Sequence, residues 1–516
     1  MRTLRCARRL RTGVPVVFIL GLAALGVSCG KGTREDAGRW VTLLHTNDIH
    51  GTYRATPASW MDGNPPIGGF PAASDFVRLE RQDAPASLLL DAGDFMTGNP
   101  ICDLEYQGVQ GGGMVAFLNL LGYDAVCLGN HDFDHTRSVT AELVAMAEMP
   151  VVCANLLDES GRPFSGKAYE IFERGGVRVG VIGLILENLP GYLGPGAVEG
   201  LRLERAIPAI DRVLDEVDRE TDLIVLLTHV GVDMDEALAQ QVGGRVDVIV
   251  GGHSHTRIEA PEKRHGIVVC QAGSNNRYLG RLDVLVRADT VAAYRGHLIP
   301  MWASEATPRP EVEALAWEFD RRIDDLYGEV IGELKGDWFT SSSGESNAGS
   351  WIADRLTEAG GADVAVINSG GIRKHLPRGY ITVLDIKEML PFDNVLMTFE
   401  CSGDELLRMA GLNAQAAADD GYGILQVSGI RYRWRRSAAG AAVLEKVTVG
   451  GRPVERSRTY RCAAPDYAVT HADRYFGFEP ANVRSTGLTV TDVIIDAVRE
   501  AAVVEPATDG RMEEIE

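Results

Sequence analysis

The sequence predicts an α/β protein in two halves joined by a helix, and three observations carry that reading. Short, nearly continuous apolar runs alternate with helical patterns between Trp40 and Met301. A proline-flanked amphipathic stretch follows, and a second alternating region then runs from about Val330 to Val504. At 516 residues the chain has room for two or three domains, on a prior of roughly 150 residues each. Hydrophobic residues make up 45% and charged residues 24%, close to the globular average, which excludes a disordered chain and a polytopic membrane protein. The net charge is −21. That sign argues against a nucleic-acid polymer gripped through its phosphates.

In chain order, residues 1–29 read as an export signal. Five arginines precede the apolar run Val14 to Val27, which is shorter than the roughly 20 residues needed to span a bilayer. Ser28-Cys29-Gly30 follows and resembles a bacterial lipobox, although Gly26 stands where an aliphatic residue is usual. Cys29 is therefore the expected lipidation site, and cleavage by the ordinary signal peptidase near the same point is the competing reading. The next elements are strands: Val41 to Leu44, Leu88 to Leu90, Ala125 to Leu128, Val177 to Ile182, Leu223 to Leu227 and Val246 to Val250. Runs of this kind are buried on both faces. Met114 to Leu121 and Ala206 to Val217 are helical patterns between them, which makes the class α/β. After Pro308 and Pro310, Glu311 to Leu326 reads as the connecting helix. The second half opens with a helical pattern at Ser350 to Leu356 and a strand at Val364 to Ile367, with β-rich stretches at Ile430 to Trp434 and Val443 to Val449. Cysteine spacing contains no C-x-x-C pair. Cys127, Cys153 and Cys270 each follow valine in apolar runs and are expected in the core; an exported chain with Cys102, Cys401 and Cys462 as well could form disulfides.

The polar residues at the strand ends raise this pattern above a generic fold. The first strand runs into Asn47-Asp48-Ile49-His50-Gly51, the second into Asp91-Ala92-Gly93-Asp94, and the third into Gly129-Asn130-His131-Asp132-Phe133-Asp134. Two later strands end at Thr228-His229 and at Gly251-Gly252-His253-Ser254-His255. Carboxyl ends of strands form the ligand crevice of open α/β sheets. Mixed nitrogen and oxygen donors suit Zn²⁺, Mn²⁺ or Fe²⁺ better than Ca²⁺. The donors exceed one ion's usual complement, and two ions about 3.5 Å apart would use them. Asp91 is expected to orient or cap its loop rather than bind metal.

The ordered set D-x-H, G-D, G-N-H-x-F-D, T-H and G-G-H-x-H resembles the calcineurin-like metallophosphoesterases, and NDIHG with GNHDFD is similar to their 5′-nucleotidase branch. Asn368-Ser369-Gly370-Gly371-Ile372-Arg373, Leu390-Pro391-Phe392 and Leu425 to Ile430 are similar to that branch's C-terminal domain. The resemblance covers about residues 40 to 510. It implies a metallophosphoesterase α/β sandwich at 40–305, a linker helix at 308–329 and an α/β nucleotide-binding domain at 330–510. Carried over residue by residue, it implies one metal on Asp48, His50, Asp94 and His255, and a second on Asp94, Asn130, His229 and His253, with Asp94 bridging. His131 and Asp134 match the family's catalytic dyad, serving attack by metal-activated water on phosphorus.

On the substrate side the resemblance puts Asn368 and Arg373 on phosphate or ribose, Phe392 and Tyr467 around a base, and Asp473 on the ribose hydroxyls. Core packing is the competing role for the two aromatics. The chain departs from the family in two places: Ser342 stands where an Arg is common, and His471-Ala472 where Gly-Gly precedes the ribose carboxylate. The implied activity is removal of phosphate from nucleoside 5′-phosphates with two divalent ions (Zn, Mn or similar), in an exported enzyme of the periplasm or cell envelope whose only membrane link is a lipid on Cys29. Cyclic nucleotides, nucleotide sugars or a sulfur ester are alternative substrates. A non-catalytic surface lipoprotein that binds metal and nucleotide is the alternative of another class, and the presence of His131 and Asp134 counts against it.

Overall fold

The computed structural model describes residues 38–58, 60–193, 196–419 and 423–515. The export signal and Cys29 lie outside the described residues. Two six-stranded sheets face each other in the N-terminal half. One has the order Val291–Pro300, Tyr278–Val286, Arg39–Thr46, Ser87–Asp91, Ala125–Cys127, Val151–Val152. The other has the order Tyr169–Arg174, Val177–Ile185, Leu223–His229, Val248–Gly251, Ile267–Cys270, Glu262–Arg264. Within each, the four strands that reach the site or flank it are parallel. Residues such as Leu43, Leu90, Val181, Val225 and Val250 from both sheets form one dry layer between them, which explains their continuous apolar character. Cys127, Cys153 and Cys270 are buried as expected, and all six cysteines of the described residues are free thiols.

The hairpin Tyr278–Val286 and Val291–Pro300, which completes the first sheet, was not read from the sequence. Its alternating charges, Arg281, Asp283 and Arg295, broke the apolar run. The structure uses them as a ladder in which Arg281 and Arg295 both donate to Asp283.

The connecting helix spans Pro310–Tyr327. Proline in the first turn and Glu311 and Glu313 beside it suit a helix start. Val312, Leu315, Ala316, Phe319 and Ile323 recur at helical spacing and enter the N-terminal core. Arg54 fastens the helix by donating to Asp320 and Glu313, and the Tyr53 hydroxyl donates to Asp320 at 2.8 Å.

The C-terminal half holds a five-stranded sheet of order Leu425–Ser428, Val364–Asn368, Thr459–Pro465, Val395–Ser402, Ala481–Thr489. The helix Asn347–Gly360 packs on it, capped by the Ser346 hydroxyl, which accepts from Gly349 N–H at 3.1 Å. A four-stranded sheet is closed by the tail strand Met512–Glu514. Arg511, in front of that strand, is buried and donates to Asp354 and to the carbonyls of Ser350 and Val427. Among the described residues no helix is long and apolar enough to cross a membrane.

Candidate active site

Asp48, His50, Asp94, His253 and His255 all adopt left-handed backbone, with φ between 50° and 75°. Such strain persists only where surrounding contacts over-determine it, and it clusters at functional sites. Here the contacts are visible. Asp132 accepts backbone N–H bonds from Gly129, Asp94 and Met96, tying the third strand's loop to the second's. Asp91 accepts from the Thr46 hydroxyl and from Gly93 N–H, which is the loop-holding position expected of it. Asn47 reaches the Gly273 carbonyl and Ala272 N–H, and Gln271 holds Gly252, Ser254 and Thr256. Asp132, Asn47 and Gln271 were not singled out from sequence. The positions of Asn47 inside NDIHG and of Asp132 inside GNHDFD hinted at a role, and nothing marked Gln271. Gly129 has no room for a side chain, because a Cβ there would lie 2.1 Å from Asp94 Oδ1.

These loops bring the seven candidate ligands together. Asp48, His50 and His255 form one group with ligand atoms within 4.8 Å of one another, and Asp94, His229 and His253 form a second. Asn130 Oδ1 lies 2.9 Å from His253 Nδ1. The donors face each other in a way protons alone satisfy poorly. His50 Nε2 and His255 Nε2 are 3.0 Å apart, and only one of a facing pair of nitrogens can hold the hydrogen between them. His229 Nδ1 donates to the Ala92 carbonyl at 2.7 Å, which leaves Nε2 facing Asp94 Oδ2 3.0 Å away, so that a positive charge, either a second proton or a cation, must sit between them. Burial would lower His229, but the Asp94 and Asp48 carboxylates prevail and push it up to about 10. Against burial, which would raise it, His229 and His131 hold Asp94 well below the usual carboxylate range. Buried lone pairs converging on two points are the arrangement divalent cations satisfy. The residues fit the two ions the sequence led us to expect.

His131 Nδ1 lies 2.6 Å from Asp134 Oδ2, and His131 N–H donates to Asp94 Oδ1 at 2.7 Å. Burial lowers the His131 imidazole, while Asp134 and Asp94 more than offset this and raise it. The ring meets His50 on one side and Phe392, from the C-terminal half, on another, with centroids 5.2 and 5.7 Å away.

A cavity of about 810 Å³ opens over this centre between the two halves. Asp94, Asn130, His131, Asp134, His253 and His255 line its floor, and Asn368, Arg373, Phe392 and Tyr467 its other walls. The Asn368 side-chain oxygen is buried without a partner among the described residues. Among the described residues Arg373 has no carboxylate partner; it touches the Gly370 carbonyl and lies over the Phe392 ring. Among the described residues Phe392 and Tyr467 do not touch each other: Phe392 faces His131 and Arg373, Tyr467 faces His471 and Tyr475.

Asp473 is not brought to the cavity. It sits on the short helix Ala472–Tyr475, whose Ala472 and Tyr475 turn inward, leaving Asp473 exposed. Ser342 also lies outside the cavity lining.

Residues 41–257 match the calcineurin-like phosphoesterase family, and residues 330–479 match the 5′-nucleotidase C-terminal domain. The chain belongs to the 5′-nucleotidase family of calcineurin-like phosphoesterases. It is similar to the 5′-nucleotidase of Vibrio cholerae, with 26% identity over 90% of this chain and 91% of that one. Protein UshA of Escherichia coli is 26% identical over 86% and 87%. Among solved structures, the 5′-nucleotidase precursor of Thermus thermophilus superposes with a TM-score of 0.82 at 28% identity, covering 92% of this chain and 99% of that one. A sulfate thiohydrolase, SoxB, from the same organism shares the fold at 19% identity and a TM-score of 0.76, covering 94% of this chain and 98% of that one. Membership in the 5′-nucleotidase family makes the protein a metal-dependent phosphoester hydrolase.

Proposed function

We propose that this enzyme releases phosphate from nucleoside 5′-phosphates outside the cytoplasm. The observation that carries the reading is the shared cavity, which has a double donor set and His131 on one wall and, on another, two aromatic rings and, among the described residues, a guanidinium with no carboxylate partner and an unsatisfied amide oxygen. Asp48, His50, Asp94 and His255 would hold one divalent ion, and Asp94, Asn130, His229 and His253 the other. When bound, the pair supplies Lewis-acid stabilisation of phosphoryl charge and a water made acidic enough to attack near neutral pH. Arg373 grips the phosphate oxygens through its planar fork, and Asn368 adds a polar contact. Asp134 fixes the His131 ring with its Nδ1 proton toward the carboxylate, so that Nε2 is the nitrogen that meets the developing charge and the leaving oxygen. Phe392 and Tyr467 flank the base. The arginines and short apolar run of residues 1–29, ending at Ser28-Cys29-Gly30, support export with lipid on Cys29.

The test is a substrate panel on purified protein: AMP, cyclic AMP, UDP-glucose and p-nitrophenyl phosphate, before and after exhaustive chelation and with Zn²⁺, Mn²⁺ or Co²⁺ restored. AMP should be turned over best and only with metal. Preference for the cyclic or sugar nucleotide would transfer the assignment to that ester, and full activity after chelation would overturn the metal reading. Mass spectrometry of the mature N-terminus reports lipidation; an unmodified terminus downstream of Cys29 would make the enzyme a soluble exported protein.

A further inference from the structure

The cavity wall around Tyr467 contains an imidazole, His471, which the sequence marked only as a departure from the family's Gly-Gly. His471 lies one helical turn beyond Tyr467 and lines the cavity, and its ring packs on the Tyr467 ring with centroids 4.3 Å apart and planes 37° apart. Its Nδ1 is 2.8 Å from the Tyr467 carbonyl oxygen. A carbonyl cannot donate, so Nδ1 carries the hydrogen and the neutral ring keeps a bare lone pair on Nε2. No protein group satisfies that lone pair among the described residues. Meanwhile the carboxylate expected to take the nucleoside hydroxyls, Asp473, is exposed and outside the cavity lining. The other carboxylate on this wall, Asp466, already accepts from Tyr467 N–H through Oδ1.

We propose that His471 determines specificity: its Nε2, fixed as an acceptor by the Tyr467 carbonyl, takes a hydrogen bond from an O–H or N–H group of the nucleoside, so that nucleotides bearing that donor are selected. This rests on the nucleotide reading above. The donor is a ribose hydroxyl or an exocyclic base amine, and both present the same chemistry to an imidazole lone pair. Acting beside the ring that stacks the base, His471 touches the bound nucleoside without touching phosphorus, and its effect belongs to discrimination between substrates.

The experiment compares kcat/KM of the metal-loaded full chain for AMP, 2′-deoxy-AMP, 3′-deoxy-AMP and purine riboside 5′-monophosphate, with p-nitrophenyl phosphate as the substrate that carries no nucleoside. The wild type should prefer AMP over one of the three analogues by about threefold to tenfold, the span of one net hydrogen bond. The analogue that loses names the donor as 2′-hydroxyl, 3′-hydroxyl or 6-amine. In His471→Phe, which keeps an aromatic ring and removes the acceptor, that preference should collapse to about one, as a pairwise coupling requires. Should that variant not fold, His471→Leu, which also removes the acceptor, and the wild-type series still decide. Equal turnover of AMP and all three analogues by the wild type would overturn the proposal, as would a preference that survives in the His471 variants or one that vanishes in Asp466→Asn instead. Failure of the underlying nucleotide reading looks different: the wild type would then turn over p-nitrophenyl phosphate as efficiently as AMP.

Discussion

His131 and His45 show how little a histidine's type reveals and how much its neighbours do. His131 has a carboxylate behind it and a C-terminal ring in front. His131→Ala should lose kcat by on the order of 10² to 10⁴, with metal content per chain retained by elemental analysis; Asp134→Ala should lose less. An emptied metal site would instead make His131 a ligand. His45 lies opposite Gly280 on the neighbouring strand, fills the space that a Cβ at Gly280 would need, and has a buried Nδ1 with no partner. Burial depresses it to about 4 from 6.5. The unfolded chain therefore binds a proton that the folded chain refuses between these values. The His45 contribution is fully present above pH 6.5 and is lost as pH falls toward 4, on the order of 3 kcal/mol in all. His45→Phe should flatten the fall in Tm over that window relative to wild type; parallel curves would show that other groups carry the acid sensitivity. The motif residues were legible in sequence because their types are rare in that order. The roles of His45 and His471 were not, although His471 stood out as a departure from the family's Gly-Gly, because what they do depends on a facing glycine and a carbonyl that no spacing announces.

At the scale of elements, the parallel strands and the connecting helix were legible because burial on both faces, or along one stripe, leaves a periodic record. Loop-to-loop ties were not. Asp132 holds the backbone of a neighbouring loop more than thirty residues away, and nothing local marks that target. Gly129→Ala tests this tie, since the added methyl must displace Asp94, the residue proposed to serve both ions. Metal stoichiometry should fall at both sites, whereas His255→Ala should weaken mainly one. A glycine variant with two tightly held ions would show that the loops can yield. The tail strand gives a stability counterpart. Arg511→Ala removes a guanidinium from buried carbonyls and Asp354, and should cost on the order of 3 kcal/mol in the C-terminal half, read as a lowered Tm for that transition.

Across the whole molecule, neither half alone lines the cavity: the donor set comes from one, and Arg373, Phe392 and Tyr467 from the other. Replacing Phe392 and Tyr467 together by Ala should raise KM for AMP, given about 1 to 3 kcal/mol of stacking per base, and should lower selectivity for AMP over p-nitrophenyl phosphate by at least tenfold. Equal loss on both substrates would mark the rings as packing residues. The sequence implied this division of labour through motifs in both halves. It could not show that Phe392 reaches His131, a contact between residues 261 positions apart, nor that Asp473 turns outward.

The helix Pro310–Tyr327 is clamped into the N-terminal core by its apolar stripe and by Arg54. Mechanically it is a bracket bolted along its length to the N-terminal side, with its last residue, Tyr327, also resting on the C-terminal core and under Lys387. Any swing of the C-terminal half must be taken up after Tyr327, at Gly328 and Glu329, before the strand Val330–Leu334 begins. So short an axle leaves room for turning in place and little for wide separation, so one wall of the cavity could pass the other without the halves parting.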